Sequence, residues 1–117
     1  MDRVIKFRGL SIVKNKWVYG DLAQLENKTL IKYSENGVRK ADEVYSKTVG
    51  QFTGLYDTNG KEIYEGDLVK SGYMTGTILF AEASFLFRRF ENDLIYILYP
   101  DEDYRIIGNI HETKEDN

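Results

Sequence analysis

Three carboxylates stand close together at Glu62, Glu65 and Asp67. Two carboxyls held about 5–9 Å apart suffice for hydrolysis of a glycoside, so a carboxylate-based hydrolase is one reading of this cluster. The heavier reading is that acids beside glycines cap or solvate short turns. Asp57, Asn59 and Glu62 superficially suggest a calcium loop. Counted from Asp57, however, Gly60 falls at the fourth place and Leu68 at the twelfth, where an EF-hand needs glycine at the sixth and glutamate at the twelfth. Gly60-Lys61 is followed by Glu62, so the hydroxyl that a phosphate-cradling loop gives to magnesium is missing. His111 is the only histidine; a Ser-His-Asp triad would have to use it, and a structural or exposed place at a strand end is expected instead. Asp101, Glu102 and Asp103 read as a solvated loop. The chain has no cysteine, which removes thiol nucleophiles, thiolate metal sites and disulfides. No catalytic residue, metal or cofactor is expected, and the chain is read as a non-enzyme.

The stretch FLFRRF, 85–90, offers a different chemistry. A strand places Phe85, Phe87 and Arg89 on one face and Leu86, Arg88 and Phe90 on the other. Single-stranded nucleic-acid binders combine stacked aromatics with basic side chains in this way, which makes such binding the alternative function. The blander reading fills a core with one Phe face and lays the arginine stems over apolar surface. Trp17, Tyr19, Tyr56 and Tyr64, together with Arg88 and Arg89, form the expected interaction surface, because aromatic residues and arginine are enriched at protein–protein contacts.

Short strands must position these residues. RVIKFRG, 3–9, alternates Val4, Lys6 and Arg8 with Ile5 and Phe7 as a short strand stopped by Gly9; Trp17–Tyr19 follows a turn at Asn15-Lys16; TLIKY, 29–33, is another strand. Asn36-Gly37 is the dipeptide of hairpin turns with two positive φ values. ADEVYSK, 41–47, allows one helical turn. In VGQFTGLYDTNGKEIYEGDLV, 49–69, the expected structural turn residues are Gly50, Gly54, Gly60, Gly66 and Asp67, with Asp57 capping its own turn through its side chain. Thr75–Phe80, Ser84–Phe90, Leu94–Tyr99 and Tyr104–Ile110 read as further strands. Seven to nine short strands with frequent turns predict a mostly β chain. The segment 66–80, with tight turns and small residues, points to a small SH3-like barrel of antiparallel strands. The expected organisation is a single domain over 1–117: an N-terminal β arm at 1–48, a barrel-like core at 49–112 and a polar tail at 113–117.

Composition narrows the function classes. A chain of 117 residues with 42% hydrophobic content suits one ordinary domain. The net charge of −3 weakens nucleic-acid binding by the whole surface. Residues 1–16 carry five bases against one acid, net +4, and residues 91–117 carry eight acids against two bases, net −6. These are two solvated ends, or ends that meet within one chain or between subunits. No apolar run suits a signal peptide or a membrane span.

The run at 49–69, with KFRG at 6–9, Trp17-Val-Tyr-Gly20 before Asp21-Leu22, Gly76-Thr-Ile78 with Phe80, and Ile106-Ile-Gly-Asn-Ile110, resembles the motifs of the YopX-like proteins of bacteriophages and prophages over nearly the whole chain. The resemblance implies a mostly β fold encoded by phage or prophage genes and acting in the bacterial host cytoplasm. It implies no activity and no catalytic residues. The function expected is a non-enzymatic protein-interaction module whose partner is protein, including itself as a homo-oligomer, with no membrane and no small-molecule substrate.

Overall fold

The computed structural model describes residues 4–100 and 102–112. Asp101 and the tail at 113–117 lie outside the described residues. The chain divides into two units, Met1–Phe52 and Thr53–Asn117.

The first unit is an antiparallel meander. Strands β1 (Phe7–Leu10), β2 (Trp17–Leu25), β3 (Lys28–Glu35) and β4 (Val38–Glu43) lie in the order β4-β3-β2-β1. The first half of β5 (Gly50–Tyr56) pairs with β1, Gly50 opposite Arg8. The β3–β4 turn has positive φ at both Asn36 and Gly37, the conformation that this dipeptide adopts with little strain. One face buries Val18, Ile31 and Val44, with Phe7, Tyr33 and Val49 packed against them. The segment expected to hold a helical turn divides in two. Val38–Glu43 is the charged edge strand, and a short 3-10 turn covers Ser46–Thr48. Its Thr48 Oγ1 accepts the Leu10 N–H at 2.9 Å.

In the second unit the other half of β5 is bonded to β6 (Glu62–Tyr64), and Thr53 Oγ1 donates to the Ile63 carbonyl at 2.8 Å. Five further strands follow: β7 (Asp67–Ser71), β8 (Met74–Ala81), β9 (Ser84–Arg89), β10 (Ile95–Ile97) and β11 (Arg105–Asn109). They form an antiparallel sheet in the order β10-β9-β8-β7-β11. Its core is Ile63, Val69, Ile78, Phe87 and Tyr104, with Leu55, Met74, Leu98 and Ile106 against it. Alternation explains the choice: Val69, Ile78, Phe87 and Ile106 share one face through the pairs Ile78↔Phe87 and Ile106↔Val69. Gly76 lets β8 and β9 approach, since a Cβ there would lie 2.1 Å from the Arg88 carbonyl oxygen.

The fold is therefore mostly β and antiparallel. The closed barrel expected from the sequence is not found. Among the described residues the five-stranded sheet is open, with β10 at one edge and β11 at the other.

Candidate interaction surface

Two of the four carboxylates of the 49–69 run, Asp57 and Asp67, are taken up by the main chain. Asp57 is buried. Its Oδ1 accepts the N–H groups of Asn59 (2.8 Å) and Lys61 (2.9 Å), and its Oδ2 accepts that of Ile106 (3.2 Å). One side chain thus closes the 57–60 turn and ties it to β11. Burial pushes this carboxyl up, but the three N–H donors outweigh burial and hold it below the usual carboxylate range. Asp67 is also buried, and its Oδ2 accepts the Tyr64 N–H at 2.8 Å. Glu62 Oε1 accepts the Tyr64 hydroxyl at 2.8 Å. Glu65 is half-buried beside Gly66, whose φ is 96°. The expected turn residues Gly54 and Gly60 also have positive φ. Gly50 does not serve as a turn: it is the buried first residue of β5.

A second polar cluster lies in the first unit. Lys14 Nζ donates to the Tyr33 hydroxyl at 2.7 Å, which donates to Asp42 Oδ1 at 2.9 Å, and Lys14 Nζ stands 3.4 Å from Asp42 Oδ2. Hydrogen bonding to Tyr33 foremost, with Asp42 behind it, raises the Lys14 pKa. An ammonium held charged in this way is an ion-pair partner, not a nucleophile. Among the described residues no group of three or more His, Asp or Glu side chains is placed to hold a metal ion.

The expected interaction residues separate. Tyr64 is buried at 2% exposure, with its hydroxyl donated to Glu62, and cannot face a partner. Trp17 is half-buried under the Arg8 guanidinium, 4.7 Å from its ring centroid, while Tyr19 and Tyr56 are exposed. In FLFRRF, Phe87 enters the core and Arg88 is exposed on the opposite face. Arg89 is engaged locally, with Nη2 2.7 Å from Glu91 Oε1 and the guanidinium 5.7 Å from the Tyr73 ring centroid. The Tyr96 hydroxyl, ahead of Glu91, raises its pKa further. Tyr73, Thr75, Arg89, Phe90 and Glu91 line an open cleft of about 250 Å³.

Beside that cleft runs the feature that the sequence did not single out. Strand β10 is exposed along its whole length: Ile95 53%, Tyr96 36%, Ile97 60%. Leu94, Tyr99 and Phe90 around it are exposed as well. Only the continuous apolar run at 94–99 announced a strand here. That the strand forms a sheet edge follows from topology, which a local pattern does not carry. Other terminal strands are guarded in the ways that suppress edge pairing. β4 carries Arg39, Lys40, Asp42 and Glu43; β11 begins with Arg105 and bulges between Ile106 and Gly108; β6 buries Ile63 and Tyr64. β10 has neither charge nor proline.

These features belong to a mostly β protein built of two antiparallel sheets. The family model described as YopX protein matches residues 6–115, and the chain belongs to this family. Among solved structures it is similar to the crystal structure of protein EF1440 from Enterococcus faecalis, at 23% sequence identity and a TM-score of 0.53, covering 94% of this chain and 95% of that one. That likeness concerns the fold. No curated protein matches the chain. Among the described residues no helix is long and apolar enough to cross a membrane.

Proposed function

We propose that this chain is a non-enzymatic protein-interaction module that self-associates, working as a phage- or prophage-encoded accessory protein in the cytoplasm of the bacterial host. The observation that carries the proposal is the β9–β10 hairpin, whose outer strand is apolar, exposed and unguarded. Exposed apolar surface with rim charges such as Arg88 and Glu91 suits a protein partner better than a solvated loop. The engagement of Asp57 and Asp67 by backbone N–H groups supports the non-enzymatic part, since a carboxylate holding such donors is a poor proton shuttle. The SH3-like character belongs to this proposal too: the tight hairpins of β7, β8 and β9 would act as a curved platform that presents its edge.

Sedimentation over a wide concentration range, at low and high salt, tests the reading. Mass that rises with concentration is expected. Association that survives high salt assigns it to the apolar hairpin, whereas association lost at high salt assigns it to the charged chain ends. A strict monomer under every condition overturns self-association.

A further inference from the structure

The segment at the open edge reads Leu94-Ile95-Tyr96-Ile97-Leu98, the same in both directions about Tyr96. An antiparallel pair of identical strands is related by a two-fold axis, and a palindrome centred on that axis places like opposite like. Leucine would meet leucine, isoleucine would meet isoleucine, and the two Tyr96 residues would lie on the axis.

The backbone is set for the same register. The Arg89 N–H donates to the Leu94 carbonyl at 2.8 Å, and β9 continues antiparallel to β10 through Ile95↔Arg88, Tyr96↔Phe87 and Ile97↔Leu86. Hydrogen-bonded and non-bonded pairs alternate along an antiparallel ladder. Arg89–Leu94 is a bonded pair, so Phe87–Tyr96 is the next one. The N–H and C=O groups of Ile95 and Ile97 therefore point away from β9, to the open side. In a dimer centred on Tyr96, Ile95 of one copy stands opposite Ile97 of the other, and each pair exchanges two hydrogen bonds. Four outward groups on each copy find partners together. The paired segment contains no charged residue, so no like charges meet across it. Tyr96 itself is braced from within its own chain, its ring 6.2 Å from that of Phe87.

We infer that the partner of this edge is a second copy of the chain, joined through β10 in antiparallel register about a two-fold axis at Tyr96, so that two five-stranded sheets become one of ten strands. This rests on the self-association reading and gives it a site and a register.

The absence of cysteine makes the test clean, because any introduced thiol is the only one. Ile95→Cys and Ile97→Cys change exposed side chains and leave the core intact. Opposed residues in a bonded antiparallel pair have Cα atoms about 5.5 Å apart, within disulfide reach. Residue 95 of one copy and residue 95 of the other are staggered along the strands beyond the roughly 7 Å limit. Under mild oxidation an equimolar mixture of the two variants should yield a covalent heterodimer at least several-fold in excess of either variant alone, and exposed Val38→Cys should give only background. Equal crosslinking in mixed and single samples overturns the register. No crosslinking in any sample overturns the β10 contact. If the unmodified chain still sediments as a dimer in that case, the interaction-module reading survives and only this geometry falls; a monomeric chain removes both.

Discussion

The Asp57 carboxylate serves three backbone N–H groups, those of Asn59 and Lys61 in its own turn and of Ile106 in β11. Hydrogen bonds to a charged acceptor are worth about 1.5–3 kcal/mol each where they are lost with burial of the donors. Asp57→Ala is therefore expected to cost about 2–4 kcal/mol in urea unfolding, near the upper end for a single substitution. The pH dependence has a definite sign. Asp57 has a folded pKa below its unfolded value of about 3.9, so its contribution is fully present above that pH and is lost as pH falls through the folded value. Wild-type stability should decline below about pH 4, and the decline should be shallower in Asp57→Ala. Asp42 has a lowered pKa for the same kind of reason: burial pushes it up, and hydrogen bonds from Tyr33, Ser11 and Lys14 outweigh burial. A slope unchanged by Asp57→Ala would show that the carboxylate does not carry the turn.

At the scale of strands and turns, glycines divide by cause. At Gly54 φ is +88° and no atom lies within 4 Å of an added Cβ, so Gly54→Ala pays only the left-handed penalty, about 1–2 kcal/mol. At Gly76 the added Cβ would strike the Arg88 carbonyl, and the β8–β9 pair must separate. Gly76→Ala should lower stability more than Gly54→Ala, beyond about 2 kcal/mol, and thermal unfolding of the two variants side by side checks the order. Much of this was legible in the chain. Asn36-Gly37 specified its turn, the alternation of Thr75–Phe80 and Ser84–Phe90 specified β8 and β9, and Asp57 was readable as a turn cap. Other parts were not. Val38–Glu43 is rich in charge and exposed, and it becomes a strand by pairing with β3, a contact with no local trace. The apolar run 94–99 pairs over three residues only, and beyond them the Tyr99 N–H donates to the Tyr104 hydroxyl at 3.2 Å. Tyr64 reads as a surface aromatic in the sequence, yet it is buried, because burial of one aromatic among several is decided by tertiary packing. Barrel closure failed as an expectation because it depends on long-range register, and the local curl of glycine-rich hairpins is common to open and closed sheets alike.

For the whole molecule, two kinds of constraint share one chain. The 49–69 run holds the fold through buried acids and left-handed glycines, while an apolar edge elsewhere is left open to solvent. Stability and partner binding should then be separable: Ile97→Lys, at an exposed edge position, should leave the unfolding free energy within about 0.5 kcal/mol of wild type while abolishing concentration-dependent mass. The central claim is that the edge of β10 is where copies meet, and amide hydrogen exchange read residue by residue at low and high protein concentration tests it most directly. The Ile95 and Ile97 amides should exchange fast in dilute protein and become protected as concentration rises, while the Tyr96 amide, bonded to β9, stays protected throughout. Exchange of Ile95 and Ile97 that is equally fast at both concentrations would contradict the account.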